Sequence, residues 1–137
     1  MATAKFSGLF ESLAGIRRFV FKAASEAGFN DKEIYAVELA VDEACSNIIE
    51  HAYGGEGKGD IICTCNDLNN GLEIILKDDG EPFDPAGVSS PDFSIELEKL
   101  KPRGAGLFLI RNMMDDVDFT FSKEDGNELR MIKRKGD

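Results

Sequence analysis

The chain has 137 residues, 42% of them hydrophobic and 31% charged, with a formal net charge of −10. That leaves room for one domain with a real core and too little for two ordinary ones, and it excludes a disordered chain. The acidic balance argues against a nucleic-acid surface, which needs clustered Lys and Arg. No apolar stretch approaches the roughly 20 residues of a membrane span, and no signal peptide is recognisable, so a cytoplasmic protein is expected.

Met1 to Phe6 reads either as a short edge strand or as a frayed start. From Leu9, the apolar positions Leu13, Ile16, Val20, Ala23 and Ala27 keep a helical period, and Gly28 ends that helix. Asn30 can cap the next helix, with Glu33 three residues later in capping-box position. This second helix, closed by Gly54 and Gly55, is the one around which the rest is organised. Ile34, Val37, Val41, Cys45, Ile48 and Ala52 fall on one face at about 100° per residue. Ala36, Leu39 and Ala40 fall near the opposite face, so cover on both sides is expected. Glu43 lies in line with Leu39 and Ala40, and Asn47 follows it one turn on, which sets a carboxylate beside an amide.

Strands follow at Asp60 to Asn66 and Leu72 to Lys77, around the turn signal Asn69-Asn70-Gly71. Leu72, Ile74 and Leu76 share one face. The three cysteines, Cys45, Cys63 and Cys65, fit no disulfide framework or recognised metal spacing and read as reduced core thiols. Asp78-Asp79-Gly80-Glu81-Pro82-Phe83 is too rich in acids, Gly and Pro to continue a strand and should be a tight loop. Gly87 to Pro102 reads as a flap. Gly104-Ala105-Gly106 opens a helix with Leu107, Ile110, Met113, Met114 and Val117 inward. A second hairpin, Phe119 to Ser122 and Leu129 to Lys133, closes around Asp125-Gly126. The basic run at Lys133 to Lys135 reads as a solvated end. The packing expected of this order is an α+β two-layer sandwich, with helices on one face of a mixed, mostly antiparallel sheet.

Three polar features interrupt these elements: Glu43 with Asn47, the Asp78 loop, and Gly104 to Gly106. Each alone has a plain reading, as a half-exposed helix face, a strand-end turn and a helix start. Together they suit a nucleotide. A Gly-rich turn before a helix offers backbone N–H groups to phosphate. Asn supplies a neutral oxygen for Mg²⁺. A carboxylate one turn away can take a proton from a group attacking the γ-phosphate. An Asp at a strand end can accept the exocyclic amino group of adenine.

Glu43-Ala-Cys-Ser-Asn47 resembles the N box of the GHKL ATPase superfamily. Asp78-x-Gly80-x-Pro82-Phe83 resembles its first glycine box in the form typical of bacterial anti-sigma factor serine/threonine kinases. Gly104-x-Gly106-Leu107, continuing as FLIRNMMDDVDF, resembles the second glycine box of that branch, the RsbW/SpoIIAB-like family. The resemblance implies one histidine-kinase-like ATPase domain over 1–137 with the Bergerat ATP-binding fold. It implies Glu43 as general base, Asn47 as Mg²⁺ ligand and Asp78 as adenine anchor. The nucleotide-binding positions it carries over are Asn47, His51, Asp78, Gly80, Pro82, Phe83, Arg103, Gly104, Ala105, Gly106 and Leu107. Gly80 would let the base approach the backbone, Gly104 and Gly106 would line the phosphates, and 87–103 would form the lid. Lys101 and Arg103 are both candidates for the basic residue near the γ-phosphate.

The activity implied is ATP-dependent phosphorylation of a Ser or Thr on a STAS-domain anti-sigma antagonist. A sigma factor is a second expected partner, and a homodimer is expected through the N-terminal segment. Two alternatives stay open at this point: a nucleotide-gated partner switch with little transfer, and a detached catalytic domain of the histidine-kinase type.

Overall fold

The computed structural model describes residues 1–82 and 109–136. Strand β1 (Ala2–Ser7) leads through a 3₁₀ turn (Phe10–Ser12) into helix α1 (Leu13–Glu26). Helix α2 (Asp31–Asn47) continues as a π-helical turn, Ile48–Ala52. Strands β2 (Asp60–Leu68) and β3 (Gly71–Asp78) form a hairpin, residues 109–113 are helical, and β4 (Asp116–Ser122) and β5 (Gly126–Arg134) form a second hairpin. The N-terminal segment is thus an edge strand, the first of the two readings it allowed. No helix among the described residues is long and apolar enough to cross a membrane.

The five strands lie in the order β1-β2-β3-β5-β4, and β5 inserts between β3 and β4. All the pairings among the described residues are antiparallel, in keeping with the mostly antiparallel sheet expected. Alternation sends Ile61, Cys63 and Cys65 of β2, Leu72, Ile74 and Leu76 of β3, and Leu129 and Met131 of β5 into one core. Ile16, Val20 and Ala24 of α1 and Ile34, Val37, Val41 and Cys45 of α2 fill the same core from the helical layer. The cysteines are free thiols inside it. The opposite sheet face carries cross-strand pairs such as Lys77–Glu128 at 3.6 Å and Arg130–Glu73.

Two expectations change in detail. Val117 belongs to β4 opposite Met131 rather than to the preceding helix. The helical residues end at 113, Met114 is buried, and Asp115 N–H already bonds Ile132 C=O, so pairing with β5 captures Val117. The helical period could not distinguish this, because a β-branched residue three beyond Met114 suits either element. On α2, the predicted inner face is buried throughout, whereas on the opposite strip Ala40 is buried and Ala36 and Leu39 are half-buried.

The start of α2 is fixed by the capping box: Asn30 Oδ1 accepts from Glu33 N–H at 2.8 Å, and the Glu33 carboxylate accepts from Asn30 N–H at 2.9 Å. The other Glu33 oxygen accepts from Gly136 N–H at 2.8 Å, which ties the chain after β5 to the start of α2. Replacing Asn30→Ala is expected to cost about 1 kcal/mol in urea unfolding, with an unchanged denaturant slope.

Candidate functional site

Glu43 and Asn47 lie one turn apart on α2, and Asn47 is its last α-helical residue. Beyond it the helix widens: Tyr53 N–H reaches back to Ile48 C=O at 2.9 Å, a five-residue step. Such π turns recur at functional sites, and this one carries His51, which is half-buried. Asn47 is 6% exposed, and its side chain makes no hydrogen bond with another described residue. An uncommitted amide oxygen of this kind fits the neutral oxygen ligand that Mg²⁺ accepts beside its waters and phosphates. Glu43 is half-buried, and its pKa is raised above the ordinary glutamate value, first by partial burial and then by the charges of Asp42 and Glu50. Arg17 on α1 pairs with Asp42 at 2.6 Å, next to Glu43 in sequence.

The second part of the site is the end of β3. The alternation that buries Leu72, Ile74 and Leu76 puts Asp78 on the same inward face, where it is 5% exposed. Its Oδ1 accepts from Gly80 N–H at 2.9 Å and from Asn127 Nδ2 at 2.7 Å. Its Oδ2 has no protein donor among the described residues, so one acceptor remains for an amino group. Burial pushes the Asp78 pKa up, the Asn127 and Gly80 donors pull it back, and the neighbouring Asp79 charge adds to the rise. Asp78 stands opposite Asn127 in the β3–β5 register. The hairpin turn abuts it so closely that a Cβ on Gly126, whose φ is +78°, would lie 2.5 Å from Asp78 C=O.

These two parts are joined directly. Glu81 N–H donates to Ala52 C=O at 2.7 Å, and a Cβ on Gly80 would lie 2.5 Å from the Ala52 carbonyl atoms. Gly80 is therefore needed for the close approach of the π turn. The Tyr53 hydroxyl accepts from Asp79 N–H at 2.9 Å and donates to Asp60 C=O at 2.6 Å, a second tie between helix end and strand end. An open polar depression of about 560 Å³ flanks this junction, bordered by Tyr53, Lys58, Asp60, Asp79 and Glu81.

Glu43, Asn47 and His51 thus share the end of one helical element, which Ala52 ties to Asp78, Gly80 and the exposed Pro82. Phe83, Lys101, Arg103, Gly104, Ala105, Gly106 and Leu107 lie outside the described residues, as do the flap and the proposed lid. Asn127 is the site residue that sequence reasoning missed. The signal was available: it follows the Asp125-Gly126 turn and shares the inward parity of Leu129 and Met131, so it is a polar residue at a core position.

The model of the family described as "Histidine kinase-like ATPase domain" matches residues 6–133. The serine-protein kinase RsbW of Bacillus cereus (strain AH820) is 37% identical over 111 residues, covering 78% of this chain and 69% of the relative. RsbW of Bacillus velezensis is 32% identical over 108 residues, covering 74% and 66%. Among solved structures, the RsbU and RsbW domains of Rv1364c from Mycobacterium tuberculosis match 98% of this chain with a TM-score of 0.63 at 12% identity. This chain spans 32% of that one. The catalytic domain of histidine kinase ThkA matches with a TM-score of 0.56 at 15% identity, covering 98% of this chain and 97% of that domain. At such identities the structural likeness speaks for the fold.

Substituting Gly80→Ala forces a Cβ into the Ala52 backbone and separates helix end from strand end. An overpacking loss of about 1–3 kcal/mol is expected in chemical unfolding, accompanied by weakened ATP binding in calorimetry.

Proposed function

We propose, from the premise that this chain belongs to the family of histidine kinase-like ATPase domains and to its RsbW-like branch, that it is an ATP-dependent serine/threonine protein kinase of the anti-sigma type. The observation that carries this reading is the junction of Asp78 with the helix bearing Glu43 and Asn47. It brings a buried acceptor suited to an amino-purine against a helix that offers a metal ligand and a base. The whole of 1–137 is read as one such domain.

In this reading Asp78 Oδ2 accepts from the 6-amino group of adenine, while Gly80 N–H and Asn127 hold Oδ1. Asn47 would contribute its amide oxygen to Mg²⁺, which when bound would offset phosphate charge. Glu43 accepts the proton of the attacking Ser or Thr hydroxyl, and the γ-phosphoryl group passes from ADP as leaving group to that oxygen. Its pKa, raised by partial burial and by the Asp42 and Glu50 charges, suits the task, because a stronger base takes the proton more readily. His51, Pro82, Phe83, Arg103, Gly104, Ala105, Gly106 and Leu107 complete the nucleotide contacts by their match to the family motifs, with Lys101 the alternative to Arg103 at the γ-phosphate.

The substrate is proposed to be a Ser or Thr on a STAS-domain anti-sigma antagonist, and a sigma factor is the second partner, so that phosphorylation switches partners and regulates transcription in the cytoplasm. Homodimerisation is proposed through β1, whose outer edge has no neighbouring strand among the described residues.

The decisive experiment incubates the protein with γ-labelled Mg·ATP and a STAS-domain protein. Acid-stable phosphoserine or phosphothreonine on the partner supports the kinase, whereas binding without transfer to any such partner would replace it by a nucleotide-gated switch. Glu43→Gln is expected to bind Mg·ATP normally and to lose roughly 10²–10⁴-fold in transfer rate; normal transfer refutes the base. Because Glu43 acts as the carboxylate and its pKa is raised, the rate should fall on acidification at a pH above the ordinary glutamate range. Asp78→Asn replaces an acceptor by a donor and should sharply weaken ATP binding in calorimetry, without a matching loss of thermal stability.

A further inference from the structure

Asn127 is 1% exposed, and its Oδ1 has no hydrogen-bond partner among the described residues. Buried polar atoms are normally satisfied, so an orphaned carbonyl in the core calls for a reason. An aliphatic residue in the same place would leave no orphan. The reason lies at the other end of the amide. Nδ2 donates to Asp78 Oδ1 at 2.7 Å and stands 3.2 Å from Gly80 C=O and 3.3 Å from Glu81 C=O. Its two hydrogens therefore serve a carboxylate and a pair of carbonyls, all of which are acceptors.

This arrangement fixes which way the amide points. Turned over, Oδ1 would face Asp78 Oδ1 and two carbonyl oxygens with no hydrogen between them. The orphan is thus the consequence of aiming the donor at Asp78. The effect on Asp78 is specific. Asn127 and Gly80 N–H both commit Oδ1, and Oδ2 is left as the acceptor without a donor among the described residues. Asn127 also grips the turn that follows, through the carbonyls of Gly80 and Glu81, where the backbone closes onto Ala52. The side-chain carboxylates nearest this turn in sequence, besides Asp78, are those of Asp79 and Glu81, and the amide donates to neither: Glu81 accepts through its backbone carbonyl.

We infer that Asn127 is the positioning residue for base selectivity: it holds the Asp78 carboxylate with one oxygen committed and the other presented to a purine that carries a 6-amino group. The inference rests on the reading of Asp78 as the nucleobase anchor and adds to it the residue that orients the anchor. A purine with a 6-oxo group would set an acceptor against that oxygen and be rejected, but only while the carboxylate is held in this orientation.

The test titrates the full chain with Mg·ATP and with Mg·ITP, whose base has a 6-oxo group, in the wild type, Asn127→Ala and Asn127→Asp. The wild type is expected to prefer ATP. Asn127→Ala removes the donor and should lower ATP affinity about 10- to 100-fold with much less effect on ITP, so that the preference collapses. Asn127→Asp keeps nearly the same shape but turns the donor into an acceptor facing Asp78; it should collapse the preference in the same way, and it serves where the alanine variant fails to fold. Thermal unfolding monitors each protein. A merely structural role would weaken both nucleotides together and leave their ratio unchanged, which would overturn the inference while leaving the anchor intact. A wild type that binds ATP and ITP alike would overturn the anchor itself, and the inference with it.

Discussion

The approach of Gly80 to Ala52 is the constraint on which the site depends. A backbone hydrogen bond from Glu81 N–H to Ala52 C=O, made possible by the missing Cβ, fastens the end of β3 to the end of the helical element carrying Asn47 and His51. Without it, the strand-end acid and the helix would be held together by the packing of two layers and by the Tyr53 hydroxyl alone. The π turn belongs to the same arrangement. By widening the last turn, it directs Tyr53 N–H to Ile48 C=O, while the Tyr53 hydroxyl spans from Asp79 N–H to Asp60 C=O. Residues far apart in sequence thereby acquire fixed relative positions, which is what positioning a reacting group requires.

Local periodicity explains why much of this was legible in the sequence. The inward face of α2, the capping box at Asn30 and Glu33, the hairpin at Asn69-Asn70 and the alternation along β3 follow from rules acting within a few residues. Asp78 could be placed at a strand end for the same reason. What escaped depends on contacts between segments distant in the chain. The β3–β5 pairing brings Asn127 opposite Asp78 across 49 residues of sequence. No periodic pattern in either segment announces that neighbour. Val117 went to the wrong element because its spacing suited a helix, while its pairing with Met131 across the second hairpin extends β4 back to Asp116. The approach of Gly80 to Ala52 was not legible either, because glycine signals a close approach without naming what approaches.

The polar groups here are retained against the preference of a core for apolar atoms. Asp78 is held in the core with its pKa raised by burial, and Asn127 leaves an acceptor unsatisfied. An orphan of that kind costs on the order of 1–3 kcal/mol, a sizeable part of the few kcal/mol by which domains are stable. Asp78 and Asn127 are paired with one another, so removing either leaves the other worse off. Their cost is shared and concentrated at one strand end, while the thiols and aliphatic side chains of the same sheet face pack without polar demands.

Charge completes the picture. Glu43 is raised in pKa partly because Asp42 and Glu50 stand near it, and the chain as a whole carries −10. A triphosphate entering such a field meets repulsion, so the site must offset its charge locally rather than attract it from afar. Among the described residues near Glu43, Arg17 is already engaged by Asp42. In the proposed kinase the compensating charge can come with the nucleotide as Mg²⁺, or from Lys101 or Arg103 beside the glycine motif. In the proposed function this division suits a switch: the described scaffold would recognise the base through Asp78 and supply the proton acceptor, while tight binding would wait for cations delivered to the phosphates.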